Sequence, residues 1–229
     1  MTLPVFLADD LEPHAADLTP GERGHLGGAE GRHAAVVRRL TTGEHLDIVD
    51  GRGLRLGCRV EAASKSGLDL VVESRQVEPA LTPRLVLVQA LAKGGRDEQA
   101  VETATEVGVD EVLPWQADRS IVRWSSSRAA RGRAKWEDVT RAAAKQSRRA
   151  RVPSVAQPVD THGLVGRVQE VVDTGGLCLV CHEEGSEHLT RLLRGRADDL
   201  ALVTEVLVVV GPEGGISPEE LAALRGAGA

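Results

Sequence analysis

The chain has 229 residues, a mass of 24.3 kDa and a formal net charge of −6, from 28 Lys and Arg against 34 Asp and Glu. With 41% apolar and 27% charged residues, its composition is that of a folded chain and excludes disorder as the main state. No apolar run approaches the roughly 18 residues of a membrane helix. The start of the chain has no basic region followed by a long apolar one, and three cysteines are too few for a disulfide framework. A soluble cytoplasmic protein is expected.

Residues 31–40 read as one helix with Ala34, Val37 and Leu40 on one face. Residues 44–49, 54–62 and 68–73 follow as short strands, separated by Asp50-Gly51-Arg52-Gly53 and Ser66-Gly67 as turn signals. Several close strands with a helix suggest a small barrel over residues 1–76. Pro79 and Pro83 mark a linker. From residue 83 the pattern alternates. Residues 85–91 form a largely apolar strand of the kind buried on both faces, and residues 97–107 have helical spacing. Residues 109–113 read as a strand closed by Pro114. Helices are expected over 136–147 and 164–172, and further buried strands over 177–181 and 206–210. A last helix opens at Ser217, the natural N-cap, with Pro218 at the first helical position and Glu220 completing a capping box. Strands alternating with helices predict an α/β domain with a mostly parallel sheet over residues 83–229.

Charge is spread unevenly. Residues 119–151 hold 11 basic side chains against two acidic ones, Glu137 and Asp138, so that a net +9 sits inside an acidic chain. Solvated faces usually mix signs, so this stretch points to a polyanionic partner. Aromatic residues are only 2%, too few for a base-stacking platform. Affinity for a nucleic acid would have to come from phosphate contacts.

The sharpest local feature is the run Val210-Gly211-Pro212-Glu213-Gly214-Gly215-Ile216, where an apolar strand enters a glycine-rich turn and then a helix. Glycines there let a backbone approach a ligand closely, and open α/β sheets bind ligands beyond the carboxyl ends of their strands. The run is neither a G-x-G-x-x-G nor a Walker A loop, which disfavours standard dinucleotide and nucleoside triphosphate sites. Cys178-Leu179-Val180-Cys181-His182 matches a haem-attachment pattern. Residues three apart on a strand face opposite ways, so the cysteines are read as small hydrophobes and no metal is expected. The turn Cys181-His182-Glu183 could line the same crevice as the glycine run. His33 sits on the first helix beside Arg32, Arg38 and Arg39. No nucleophile–base constellation is evident.

Taken together these stretches resemble the RsmE family, bacterial methyltransferases of small-subunit ribosomal RNA with the SPOUT (trefoil-knot) fold. Residues 31–40 with Asp50-Gly51-Arg52-Gly53 are similar to its N-terminal PUA-like β-barrel. Residues 89–94, residues 102–110 and Pro114 are similar to the start of its catalytic domain. Arg119-Ser120, the segment Ala142 to Arg149 and Val152-Pro153 match further family segments, and Gly211-Pro212-Glu213-Gly214-Gly215 matches its most distinctive motif. The resemblance spans nearly the whole chain in order.

This resemblance implies methyl transfer from S-adenosylmethionine to N3 of a uridine in 16S rRNA, numbered 1498 by convention, on the assembled 30S subunit and by a homodimer. It places the cofactor against Cys181, His182, Glu183 and Val210 to Ile216. RNA contacts would come from Arg32, His33, Arg38, Arg39, Lys93, Arg119, Arg123, Lys145, Gln146, Ser147, Arg148 and Arg149. Arg119, Arg123, Arg148 and Arg149 are candidates for stabilising a uridine anion. The family adds a strand, a further motif and a last helix beyond the helix at Ser217. This sequence ends at Arg225-Gly226-Ala227-Gly228-Ala229, and the knot segment is expected to lie beyond it. Two alternatives stand beside this reading. One is a non-catalytic RNA-binding or ribosome-assembly protein; the other is a SPOUT methyltransferase acting on another RNA, such as tRNA.

Overall fold

The computed structural model describes residues 3–183, 185, 189–195 and 202–229. They form two compact units. The first comprises Met1–Ala80 with Ala144–Val152, and the second Leu81–Ala143 with Pro153–Ala229.

In the first unit, strands β1 (Val5–Leu7), β2 (Leu11–Glu12), β3 (Arg23–Leu26), β4 (His45–Val49), β5 (Leu54–Ser64) and β6 (Gly67–Val77) form one sheet in the order β1-β4-β5-β6-β3-β2. Only β1 and β4 run parallel. The period of two that marked these strands in the sequence is the one that folds them. Leu54, Leu56, Cys58 and Val60 of β5 point into the core, while Arg55, Gly57 and Arg59 between them do not. Each fully buried Leu here is worth roughly 2 kcal/mol of transfer free energy. Register shifts at Gly57/Cys58 and Val60/Ala62 bend the β5–β6 hairpin.

A distant stretch completes this unit. Ala150 is fully buried against Val5, Leu7 and Val49. The Gly53 N–H donates to its carbonyl at 3.0 Å, and the Val152 N–H donates to the Gly51 carbonyl at 2.9 Å.

In the second unit, strands β7 (Arg84–Ala90), β8 (Glu111–Gln116), β9 (Ser154–Val155), β10 (Val159–Asp160), β11 (Leu177–Cys181) and β12 (Glu205–Val210) are all parallel. Their order is β10-β8-β7-β12-β11, with β9 also beside β8. One face buries Val86, Val88, Leu113, Trp115, Leu207 and Val209 under helices α4 (Thr161–Asp173) and α6 (Pro218–Gly226). The other buries Leu87, Leu91 and Val112 against Val101 of α2 (Arg96–Val107) and Trp136 of α3 (Ser126–Gln146). Burial on both faces is why these strands read as apolar runs. Short helices α1 (Gly28–Arg32), in the first unit, and α5 (Leu189–Gly195), in the second, are the other α-helices among the described residues.

Three sequence expectations need correction. Residues 31–40 are not one regular helix: α1 passes into a π turn, His33–Val37. The wider turn rotates Val37 outward, where it is 68% exposed, while Ala34 and Leu40 stay buried. Pro114 does not close its strand but sits inside β8. It is tolerated there because β9 pairs with Glu111 and Val112, β10 pairs with Trp115 and Gln116, and Pro114 falls in the gap between them. Helix α3 begins ten residues before Trp136, through an arginine-rich stretch without an apolar stripe. Strands β1 to β3 are too short to show a period.

Replacing Ala150 with Asp places an unpaired carboxylate in the cluster of Val5, Leu7 and Val49. Thermal or urea unfolding should show a loss of at least about 2 kcal/mol. A loss within about 0.5 kcal/mol, as for a surface site, would mean that residues 144–152 are not part of this core.

Candidate active site

Because every strand pair in the second unit is parallel, the carboxyl ends of β7, β8, β11 and β12 open at one edge of the sheet. Register places Cys181 beside Val210 and Val210 beside Gln89. The turns that follow, Cys181-His182-Glu183, Gly211 to Ile216 and Leu91 to Gly95, therefore leave the sheet side by side.

The glycine run is a tight turn closed by the Gly215 N–H donating to the Pro212 carbonyl at 2.9 Å. Gly215 has φ +74°, a left-handed value that disfavours any residue with a Cβ. Gly214 lies against the turn after β8, where a Cβ would stand 3.3 Å from the Cβ of Arg119. Arg119 Nη1 donates to the Gly214 carbonyl at 3.1 Å, which fastens the two turns together. On the other side, the Glu213 carboxylate accepts the Lys93 N–H at 3.1 Å and faces Arg96 Nη1 at 3.4 Å. Its own backbone N–H, the Lys93 N–H and the charges of Arg96 and Lys93 hold its pKa below the ordinary carboxylate value. Glu213 is thus an ionised tie between the β7 and β12 turns, already occupied by donors and a poor general base.

Beneath this turn lies Glu220, 2% exposed. The capping box forms as the sequence indicates, with Ser217 Oγ accepting the Glu220 N–H and the Glu220 carboxylate accepting the Ser217 N–H at 3.0 Å. The carboxylate also accepts the Asp118 N–H at 2.8 Å and the Thr161 hydroxyl at 2.7 Å. The indole N–H of buried Trp115 donates in turn to Thr161 Oγ1 at 3.3 Å. One carboxylate thus joins the starts of α4 and α6 to the turn after β8. Burial pushes its pKa up, but the Ser217, Thr161 and Asp118 hydrogen bonds outweigh this and leave it below the ordinary value.

Two buried polar atoms near this edge have no partner among the described residues: Gln89 Oε1, beside Val210, and Ser120 Oγ, next to Arg119. A cavity of about 600 Å³ runs along β11 and α6, lined by Leu179, Cys181, His182, Leu221 and Arg225 among others. Arg119 and Arg123 are exposed, and Arg123 Nη2 donates to the Asp118 carbonyl at 2.8 Å. The Cys178 thiol is pushed up to about 12 by burial, and that of Cys181 is raised by the same cause, so neither cysteine is a ready thiolate. No group of three or more His, Cys, Asp or Glu suited to a metal occurs among the described residues.

Comparison with known proteins places this geometry. Residues 80–229 match the model of an RNA methyltransferase domain, and residues 26–73 that of an RNA methyltransferase PUA domain. A ribosomal RNA small subunit methyltransferase E from Mycobacterium tuberculosis is 46% identical over 202 residues, covering 88% of this chain and 75% of that protein. The chain belongs to the ribosomal RNA small subunit methyltransferase E family. Its Bacillus subtilis relative is 29% identical over 85% of this chain and 75% of its own length. Among solved structures, a Legionella pneumophila methyltransferase in complex with SAM superposes with a TM-score of 0.79, at 24% identity, over 100% of this chain and 87% of that one. A family member from Neisseria gonorrhoeae, bound to S-adenosyl methionine, gives 0.75 at 20% identity over 99% and 86%. The architecture is α/β, with a PUA-like N-terminal unit and a SPOUT-type parallel sheet.

The sequence-predicted residues fall in both units. Cys181, His182, Glu183, Val210 to Ile216, Lys93, Arg119 and Arg123 belong to the edge just described. Arg32, His33, Arg38, Arg39, Lys145, Gln146, Ser147, Arg148 and Arg149 belong to the first unit. His33 is half-buried with its ring edge-on to Phe6, centroids 5.8 Å apart. Lys145 Nζ is 2.6 Å from Glu30 Oε1, and both side chains are at most 20% exposed. Lys145 is a neutralised, packed cation. Beyond its capping box, the hub role of Glu220 and the Glu213 tie leave no trace in the sequence, because those partners are 59 to 120 residues away.

Glu220→Gln removes the charge that these donors are arranged around and should cost about 1–3 kcal/mol, read from thermal unfolding at pH 7. A depressed carboxylate stabilises the fold above its unfolded value, and the contribution is lost as pH falls through the folded pKa. The stability difference between parent and variant should therefore shrink below the ordinary value of 4.5. A difference that stays constant down to pH 3 would refute a charged hub.

Proposed function

We propose that this chain transfers the methyl group of S-adenosylmethionine to N3 of a uridine in 16S rRNA, position 1498 by convention. The substrate is the assembled small ribosomal subunit, and the enzyme acts in the cytoplasm as a homodimer. Residues 1–76 serve as the RNA-binding PUA-like domain and residues 83–229 as the methyltransferase domain. The observation that carries this reading is the interlocked edge of Gly211 to Ile216, Arg119 and Glu213, in a chain 46% identical to a named family member.

The residues present fit the cofactor. Gly211, Gly214 and Gly215 have no side chains to keep a polar ligand from the backbone of this turn, and Gln89 Oε1 and Ser120 Oγ, unpartnered among the described residues, lie near the same edge. Cys181, His182, Glu183 and Val210 to Ile216 would hold it. When bound, S-adenosylmethionine supplies a methyl group on a positively charged sulfur.

The task left to the protein is to make uracil N3 nucleophilic. That nitrogen carries a proton at neutral pH, and its conjugate base spreads charge onto two carbonyl oxygens. Arg119 and Arg123 each spend a donor on a backbone carbonyl, Gly214 and Asp118 respectively. Those bonds fix each guanidinium while leaving its other N–H groups for the anion. Preorganised donors of this kind stabilise developing charge at little reorganisation cost, so solvent can take the proton without a dedicated base. Arg148 and Arg149, in the first unit, are assigned to RNA phosphates.

Methyl transfer from labelled S-adenosylmethionine to unmethylated 30S subunits, followed by nucleoside mass spectrometry, tests the proposal. 3-Methyluridine is expected from 30S subunits and not from tRNA. Product on tRNA alone would redirect the activity to another RNA. Cofactor binding with no product on either, or no cofactor binding at all, would favour a binding protein.

Gly214→Val should abolish cofactor binding by calorimetry, because its side chain must push Arg119 away. Unchanged affinity would remove Gly211 to Gly215 from the cofactor site. Arg119→Ala should lower kcat by roughly 10²-fold or more, in the range for losing one preorganised donor. An effect on cofactor affinity alone would limit Arg119 to bracing the glycine turn.

A further inference from the structure

Among the described residues only two non-glycine residues have a left-handed φ: Arg39, at +56°, and Arg148, at +59°. Each follows the end of a helix and lies in the first unit. At the end of α3, the Arg149 N–H donates to the Ala144 carbonyl at 2.8 Å and the Arg148 N–H to the Lys145 carbonyl at 3.1 Å. This is a Schellman cap with Arg148 in the position that glycine ordinarily fills. After the π turn, the Arg38 N–H donates to His33 and the Leu40 N–H to Ala34, with Arg39 between them. A Cβ makes this conformation costly, and glycine would remove that cost at both sites.

The two ends belong to one patch. Lys145, in the last turn of α3, pairs with Glu30 of α1 and lies 6.0 Å above the Phe6 ring, whose other neighbour is His33 at the start of the π turn. Arg55, itself paired with Asp47 and Glu78 and only 16% exposed, donates from Nη2 to the Arg148 carbonyl at 2.9 Å. This bond clamps the strained residue in place. Arg23, Arg55, Arg59 and Lys145 of the same unit are ion-paired. Arg39 and Arg148 are exposed, and neither has an ion-pair partner among the described residues.

We propose that Arg39 and Arg148 are paired grips for RNA backbone phosphates, held at strained helix ends because a guanidinium is needed there, with Arg55 as the positioning residue for Arg148. The proposal rests on the reading that the first unit binds RNA. Phosphate is the fitting ligand because two unneutralised guanidinium groups on a fixed backbone offer forked donors to an anion.

The test compares Arg39→Gly, Arg148→Gly and their alanine counterparts, measuring melting temperature and 30S-subunit binding across a salt series. Each glycine variant should melt about 2–4 °C above its alanine counterpart, the shift for a modest release of strain in a chain of this size. Both kinds should bind roughly tenfold more weakly, with the salt slope reduced by about one phosphate contact per arginine. Arg55→Lys should weaken binding in the parent and add nothing in the Arg148→Gly background. Glycine variants that melt no higher than alanine ones would overturn the strain. Parent-like affinity and slope in both arginine variants would overturn the phosphate role, and additive effects of Arg55 and Arg148 would overturn the clamp. A parent chain that does not bind 30S subunits at all would overturn the RNA reading and the proposal together.

Discussion

The buried carboxylate of Glu220 is the constraint around which the candidate active site is assembled. A parallel sheet brings strand ends to one edge, but the turns that leave it are free to diverge. Glu220 removes that freedom for two of them. Its oxygens face the backbone of Ser217 and Asp118 and the hydroxyl of Thr161, so the helix after the glycine run and the turn after β8 are bound to one charge. Arg119 and Glu213 then complete the frame from above, one gripping Gly214 and the other reaching Lys93. A buried ion is expensive unless its hydrogen bonds are all supplied. Here they are, by donors from three elements, and a carboxylate that must satisfy three elements at once fixes their relative positions better than apolar packing alone.

Such rigidity matters for a reaction with no evident general base. If catalysis rests on donors aimed at a developing anion, their value depends on being in place beforehand. Arg119 and Arg123 are exposed side chains, which ordinarily lose much conformational entropy on being fixed. Their bonds to backbone carbonyls confine them before substrate arrives. The glycines serve the same end by subtraction. Gly214 lets the turn after β8 come close, and Gly215 takes a φ that keeps the turn short.

Much of this architecture is legible in the sequence because it is local. The capping box at Ser217 to Glu220, the period of two along Leu54 to Val60 and the apolar runs of β11 and β12 are short-range patterns, and the structure reproduces them. Pro114 misleads because a proline breaks a strand only where the neighbour on its nitrogen side needs the N–H that it lacks, and the gap between β9 and β10 is not visible locally. The basic stretch misleads differently. Composition marks residues 119–151 as one cationic run, yet Lys145 is neutralised by Glu30, Arg133 pairs with Glu137, and Lys135 pairs with Glu98. A count of charges does not say which remain available.

Backbone geometry helps to say which ones do. A cation without an ion-pair partner on a relaxed backbone costs the fold little and so carries little information about why it is there. One held at a helix end that glycine would satisfy better is a standing cost to the fold. Arg39 and Arg148 share that position, that exposure and that absence of an ion pair. A shared anionic partner whose binding outweighs the strain would account for both, in the unit where Lys145 is already taken by Glu30. On the proposed reading, the two units divide the work by the state of their arginines. Arg119 and Arg123 are tethered through their side chains, which suits stabilising one small anion. Arg39 and Arg148 are fixed through their backbones with side chains left to reach, which suits gripping a long polyanion.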